Sequence, residues 1–355
     1  MELLKQLYEI HSPSGSEKKM KRFVKSYIRE VCPDAEISHD NAGNVYVVKG
    51  TSETYPCIAA HLDQVQRTHS KDFTVMECGD RLFGYSPSRG TTEGLGADDK
   101  NGIWIALKCL EHFDAIKLAF FVQEEVGCVG SSKCDMDFFK DCRFIIEPDR
   151  KGGHDFIQSM SATKVCSDEF RDATGYKDYG YELAEGLLTD VLGLVEEGVG
   201  ISCVNLSCGY YRPHTDEEST SWGELLNCLA LVFNIVGTCT KVYPHEYESN
   251  WRDYLRRYNY GDYGDYGLKH SLGWDWSRDE RDFSGLNDDE DDPYVDEPIM
   301  VLHLNDFPSE WEWIDEMLMQ NQGYEPWELW PYMQADLTSL GWTEDDFCEY
   351  AYQCG

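Results

Sequence analysis

Acids and histidines occur in short runs along this chain, each where an apolar segment ends. The first run is Ala59-Ala60-His61-Leu62-Asp63. Residues two apart on a strand point the same way, so His61 and Asp63 can lie on one side. A metal-ligating histidine needs an acceptor for its other ring nitrogen, and Asp63 can supply it. Taken alone, the pair reads more simply as satisfied surface partners. The second run, Gly94-Leu95-Gly96-Ala97-Asp98-Asp99-Lys100-Asn101-Gly102, sets adjacent acids beside glycine-rich backbone at a helix start. Such acids can bridge two metals, or serve only a turn and an N-cap. The third is Val122-Gln123-Glu124-Glu125-Val126-Gly127, where one glutamate can ligate while the other takes a proton. A solvated strand end is the plainer reading of that pair. The fourth is Ile145-Ile146-Glu147-Pro148-Asp149-Arg150, and the fifth runs from Cys208 through His214 to Glu218. Alone, these read as a charged turn and as a single histidine without a metal.

The conjunction carries more than any member. Two histidines with several carboxylates, all at strand ends of one α/β domain, form an N/O ligand set that suits a pair of hydrolytic metals. Strand ends are also where open α/β sheets bind ligands. The combination over residues 1 to about 240 closely resembles the co-catalytic di-zinc peptidases of the peptidase T, aminoacylase and glutamate carboxypeptidase group. The family pattern is His-x-Asp, Gly-x-Gly-Ala-Asp-Asp-Lys-x-Gly, Glu-Glu-x-Gly, an Asp or Glu, and a late His.

The resemblance implies two zinc ions per chain, with cobalt or manganese as substitutes. His61 would bind one metal, with Asp63 orienting it, and Asp149 would complete that shell. Asp98 would bridge both metals across a cis Asp98–Asp99 peptide. Glu125 and His214 would complete the second shell, and Glu124 would be the general base. Because the family uses Asp or Glu at the fourth position, Glu147 competes with Asp149. The implied reaction is hydrolysis of an amide bond in a small peptide by a metal-activated water. N-acyl amino acid deacylation is the alternative, since the same groups serve both. A reading of another class is an inactive peptidase-like protein that presents its acidic tail to a partner. Arg212 and Lys151 are candidates to grip a substrate carboxylate, although solvation is the simpler reading of each. Relatives often insert a lid or dimerisation domain before the last histidine. Residues 150–213 leave no room for one, because a typical domain needs about 100 residues.

The elements that must position these groups follow from apolar periodicity. Val45–Lys49, Cys57–Ala60, Leu118–Val122, Phe144–Ile146 and Ile201–Leu206 read as strands. Glu17–Val31, Gly102–His112 and Ser221–Val236 read as helices, as does a short stretch near Tyr181–Glu185 and another after Thr189-Asp190-Val191. The expected fold is a three-layer α/β/α domain over 1–243, with a mixed, largely parallel sheet.

Composition bounds the rest. A formal net charge of -35 argues against nucleic-acid and anionic-membrane partners. The 14 cysteines are scattered without a CxxC pair, as expected of reduced, mostly buried thiols. No apolar run approaches the roughly 20 residues of a membrane span. The start Met1-Glu2-Leu3-Leu4-Lys5-Gln6 has no secretory pattern, so a cytoplasmic location is expected. Residues 244–298, rich in Tyr-Gly-Asp and acids, read as a linker, and 299–355 as a helical appendage with several tryptophans. That appendage is expected to contact either the catalytic domain or an unidentified protein partner. Limited proteolysis should therefore cut first between residues 245 and 295, leaving a fragment that ends near Tyr243 and stays folded. First cuts inside 1–240 would contradict this division.

Overall fold

The computed structural model describes residues 1–160 and 163–247, together with Ile314, Met333, Gln334, Leu337, Thr338 and Phe347. The chain divides into two compact units, Met1–Asp279 and Glu280–Gly355. The expected linker lies outside the described residues except for 244–247, and so does most of the expected appendage, whose six described positions are helical.

Two amphipathic helices open the chain, α1 (Glu2–Glu9) and α2 (Lys18–Val31). Strands β1 (Glu36–His39), β2 (Val45–Lys49) and β3 (Tyr55–His61) follow. Then come β4 (Thr74–Cys78), β5 (Arg81–Ser86) and β6 (Thr91–Glu93), helix α3 (Ala97–His112) and strand β7 (Ile116–Phe121). Next are β8 (Cys142–Arg150), β9 (Asp155–Met160), β10 (Thr163–Lys164), α4 (Asp168–Ala173) and β11 (Glu182–Gly186). Helix α5 (Asp190–Glu196) and strands β12 (Cys203–Ser207), β13 (Tyr210–Tyr211) and β14 (Ser219–Ser221) lead into α6 (Trp222–Thr238).

Among the described residues, one sheet of nine strands runs β1-β2-β7-β3-β8-β12-β9-β10, with β11 also on β9. Its centre is parallel: β3 pairs in parallel with β7 and with β8, and β8 with β12. The flanking pairs β1–β2, β2–β7 and β12–β9 are antiparallel. Side chains alternate across this sheet into two separate cores. Ile58, Ala60, Leu118, Phe120, Phe144, Ile146, Val204 and Leu206 face one core, which helices α1, α2, α3 and α6 cover. Cys57, Ala59, Ala119, Phe121, Ile145 and Cys203 face the other, against Val191, Leu192, Leu194 and Val195 of α5. With both faces covered, the central strands are largely apolar, as buried parallel strands are. The fold is therefore the expected mixed α/β sheet with helices on both faces.

A second sheet among the described residues runs β13-β14-β5-β4, with β6 on β5. Its strands β13 and β14 pair antiparallel and flank residues 212–218, so this small sheet holds the turn that carries His214.

One expectation is corrected. The stretch near Tyr181–Glu185 is not helical but forms β11, which pairs in parallel with β9 from Glu182↔Asp155 to Gly186↔Met160. Glu, Leu and Ala favour helix locally. A segment this short cannot meet the cost of helix nucleation, and the free edge of β9 satisfies its backbone instead.

Ile58 sits fully buried at the sheet centre. Ile58→Ala should cost about 2–5 kcal/mol of unfolding free energy. That should appear as a lower denaturation midpoint at unchanged slope; an unchanged midpoint would contradict the core assignment.

Candidate active site

The C-terminal ends of the parallel strands converge at one edge of the large sheet. His61 is the last residue of β3, Glu124 and Glu125 follow the end of β7, and Asp149 lies near the end of β8. Asp98 comes from the start of α3 and His214 from the turn between β13 and β14. The structure gathers these residues into two groups that share Asp98: His61, Asp98 and Asp149, and Asp98, Glu125 and His214. Asp98 gives one oxygen to each histidine. His61 Nε2 lies 3.1 Å from Asp98 Oδ1 and 3.7 Å from Asp149 Oδ1. His214 Nε2 lies 3.3 Å from Asp98 Oδ2 and 3.0 Å from Glu125 Oε2.

Backbone geometry explains how acids crowd here. The Asp98–Asp99 peptide is cis, as the resemblance implied. The Asp99 carboxylate accepts from the backbone N–H of Gly102 at 2.9 Å and of His61 at 3.2 Å, tying the helix start to the end of β3. A Cβ at position 102 would lie 2.4 Å from the Asp99 carboxylate oxygens, so glycine is required there. His214 takes a left-handed φ of 64°, which turns its ring inward from an exposed loop.

Asp63 does more than orient a histidine. His61 Nδ1 lies 3.1 Å from the Asp63 carbonyl oxygen and 3.4 Å from its carboxylate. That carboxylate also accepts from the backbone N–H of Glu124 at 3.0 Å and of Glu125 at 3.2 Å, and from the Ser14 hydroxyl at 2.7 Å. Asp63 thus fixes the glutamate pair relative to β3.

The electrostatics are those of a buried acid cluster. Burial pushes the Glu124 carboxyl well above the usual range; the charge of His61 opposes this and that of Asp149 adds to it. Burial, then the Asp98 charge, raises Asp149 to about 8. Burial opposes ionisation of Asp98 too, but His214 and His61 hold it below the usual carboxylate range. Burial works against the charge on His214, yet Asp98 and Glu125 raise it to about 11. The charges acting most on Asp98, Glu124, Glu125 and Asp149 belong to other carboxylates and the two histidines; no lysine or arginine is among them. The Glu125 Oε1 atom is buried without a hydrogen-bond partner. Buried carboxylates that outnumber their cations and keep an unpaired oxygen fit divalent metal ions.

Two sequence candidates stand apart from this cluster. Glu147 is fully buried and accepts a hydrogen bond from the Thr189 hydroxyl. It belongs to neither group of candidate ligands. Arg212 is exposed and paired with Glu217 of the same turn.

Sequence reasoning passed over Glu218, although it lies in the fifth run. Its fully buried carboxylate accepts from the backbone N–H of Gly96 at 2.7 Å and of Asp98 at 3.2 Å, and from Gln66 Nε2 at 3.0 Å. One side chain thus joins the His214 turn to the Asp98 turn. Its position four residues past His214 was the available signal. Tyr210 was also missed: its buried hydroxyl lies 3.4 Å from Asp149 Oδ1 and can donate to it.

No family model matches the sequence. Solved structures do match the fold. The aminopeptidase PepT of Bacillus cereus superposes with a TM-score of 0.56 at 14% identity, covering 67% of this chain and 97% of that one. A tripeptidase from Staphylococcus aureus gives 0.54 at 13% identity, with the same coverage. An aminopeptidase from the archaeon Desulfurococcus kamchatkensis gives 0.50 at 17% identity, covering 68% of this chain and 94% of that one. The chain shares the fold of these peptidases. At such identities the likeness shows fold alone. Among the described residues, no helix is long and apolar enough to cross a membrane.

The Glu218 link yields a test. Glu218→Gln places an amide donor where backbone donors already point. Loss of an outer partner of a metal site typically weakens binding by about 10–100-fold. Zinc titration against a competing chelator, with circular dichroism as the folding control, should show that loss; unchanged affinity would deny Glu218 the role.

Proposed function

We propose that this protein is a metal-dependent hydrolase that cleaves an amide bond in small peptides, in the manner of an aminopeptidase or tripeptidase. The observation that carries this reading is the pair of N/O donor groups sharing Asp98, with the Glu124 carboxyl near enough to feel the charges of His61, Asp149 and Glu125. The peptidase fold of the matched structures supports it at a coarser level.

In this reading His61, Asp98 and Asp149 hold one divalent ion, and Asp98, Glu125 and His214 hold the other. Zinc suits the imidazole and carboxylate donors, and cobalt or manganese can replace it. When bound, the two ions supply Lewis acidity that lowers the pKa of water toward roughly 7 and polarises the scissile carbonyl. Glu124 takes the proton from the attacking water and returns it to the leaving amine nitrogen. Asp63 keeps the Glu124 backbone in place for both transfers. Residues 1–243 form the catalytic domain, and 244–355 are not needed for the chemistry.

N-acyl amino acids remain the second substrate class, since the same groups would cleave them. Both classes end in a free carboxylate, and Arg212 is already paired with Glu217. A side-by-side assay of tripeptides and N-acetyl amino acids separates the two readings.

The protein as purified should carry close to two zinc-like ions, and chelation should abolish hydrolysis until zinc, cobalt or manganese is restored. Glu124→Gln should keep both ions and lose about 10²–10⁴-fold in kcat. Glu125→Gln should lose one ion. Full activity without metal would refute the proposal; a Glu124→Gln that loses metal while Glu125→Gln keeps it would reverse the two roles.

A further inference from the structure

The turn that follows β7 folds back tightly on Glu124. The N–H groups of Gly127 and Cys128 both donate to the Glu124 carbonyl, at 2.9 and 2.8 Å. The N–H of Val129 reaches the Gln123 carbonyl at 3.1 Å, and that of Gly130 reaches the Val122 carbonyl at 2.9 Å. Within this turn Cys128 takes a φ of 54°, a left-handed conformation that residues other than glycine seldom adopt. The result is that its side chain turns back over the glutamate, and its Sγ lies 3.4 Å from Glu124 Oε1. Cys128 is only 4% exposed. Burial, reinforced by the Glu124 charge, pushes the thiol well above its ordinary range, so the sulfur keeps a proton that it can donate to the carboxylate.

We propose that Cys128 is a positioning residue for the general base: its S–H donates to Oε1 of Glu124 and leaves Oε2 as the oxygen that receives the proton of the attacking water. The inference rests on Glu124 being that base. No bond to sulfur forms or breaks. A thiol suits the task because it is a weak donor. A strong donor would orient the carboxylate equally well but would draw off the electron density that makes it basic. Cys128 holds the rotamer at little cost in basicity, and the unusual backbone at residue 128 puts the sulfur within reach.

The test compares Cys128→Ala and Cys128→Ser in the full-length, metal-loaded protein, with metal content and unfolding midpoint as controls. Cys128→Ala should lower kcat roughly 2–10-fold, the size expected from losing one modest hydrogen bond. KM and metal content should not change. Cys128→Ser, which keeps a donor but a stronger one, should recover only part of kcat. A loss confined to KM, or a serine variant no better than alanine, would overturn the proposal. A second readout does not use turnover. The infrared S–H band of Cys128, isolated by subtracting the Cys128→Ala spectrum, should lie at the low frequency of a hydrogen-bonded thiol and should move up in Glu124→Ala. A band already at the free-thiol position would overturn the proposal even if kcat fell. If Glu124→Gln retains full activity while the band stays low, the base assignment fails instead.

Discussion

Asp98 offers one carboxylate oxygen to His61 and the other to His214, and the rest of the domain is arranged so that it can. A single shared acid requires three segments to meet at one point: the end of β3, the start of α3, and the turn between β13 and β14. Burying that acid beside Glu124, Glu125 and Asp149 is costly unless opposite charge enters among them. The fold accepts this cost at the one edge where parallel strands end together and α/β sheets leave their crevice.

What keeps the acids in register is mostly backbone. Asp63, Asp99 and Glu218 each accept hydrogen bonds from two main-chain N–H groups. Main-chain donors cannot swing away as a lysine or arginine can. Three acidic side chains therefore work as fixed braces: Asp63 between β3 and the glutamate pair, Asp99 between β3 and α3, and Glu218 between the two outer turns.

Much of this was legible in the sequence, for an identifiable reason. Strands such as Cys57–Ala60, Leu118–Val122 and Phe144–Ile146 carry their periodicity locally, and acid runs follow directly after them. The ligand candidates were therefore readable as strand-end residues before any topology was known. Three features were not readable. The segment from Glu182 to Gly186 owes its strand to pairing with β9, a partner more than twenty residues away in the chain. The small sheet around β5 is built from short, half-exposed strands with weak apolar contrast. Glu218 looked like one acid among many in a chain with 66 aspartates and glutamates. Only the arrangement of N–H groups around it distinguishes it from a solvated surface residue.

The candidate donors are spread from His61 to His214, on five segments that meet only when the large sheet is complete. An unfolded chain cannot present them together, so ions held there would bind the native state almost exclusively. Each would stabilise the fold by mass action, about 4 kcal/mol for a site filled at a thousand times its dissociation constant. That is a sizeable fraction of the 5–15 kcal/mol by which whole domains are stable. The ions and the fold would then be one thermodynamic system, in which the supply of metal in the surroundings sets how long the folded protein survives as well as how full its site is.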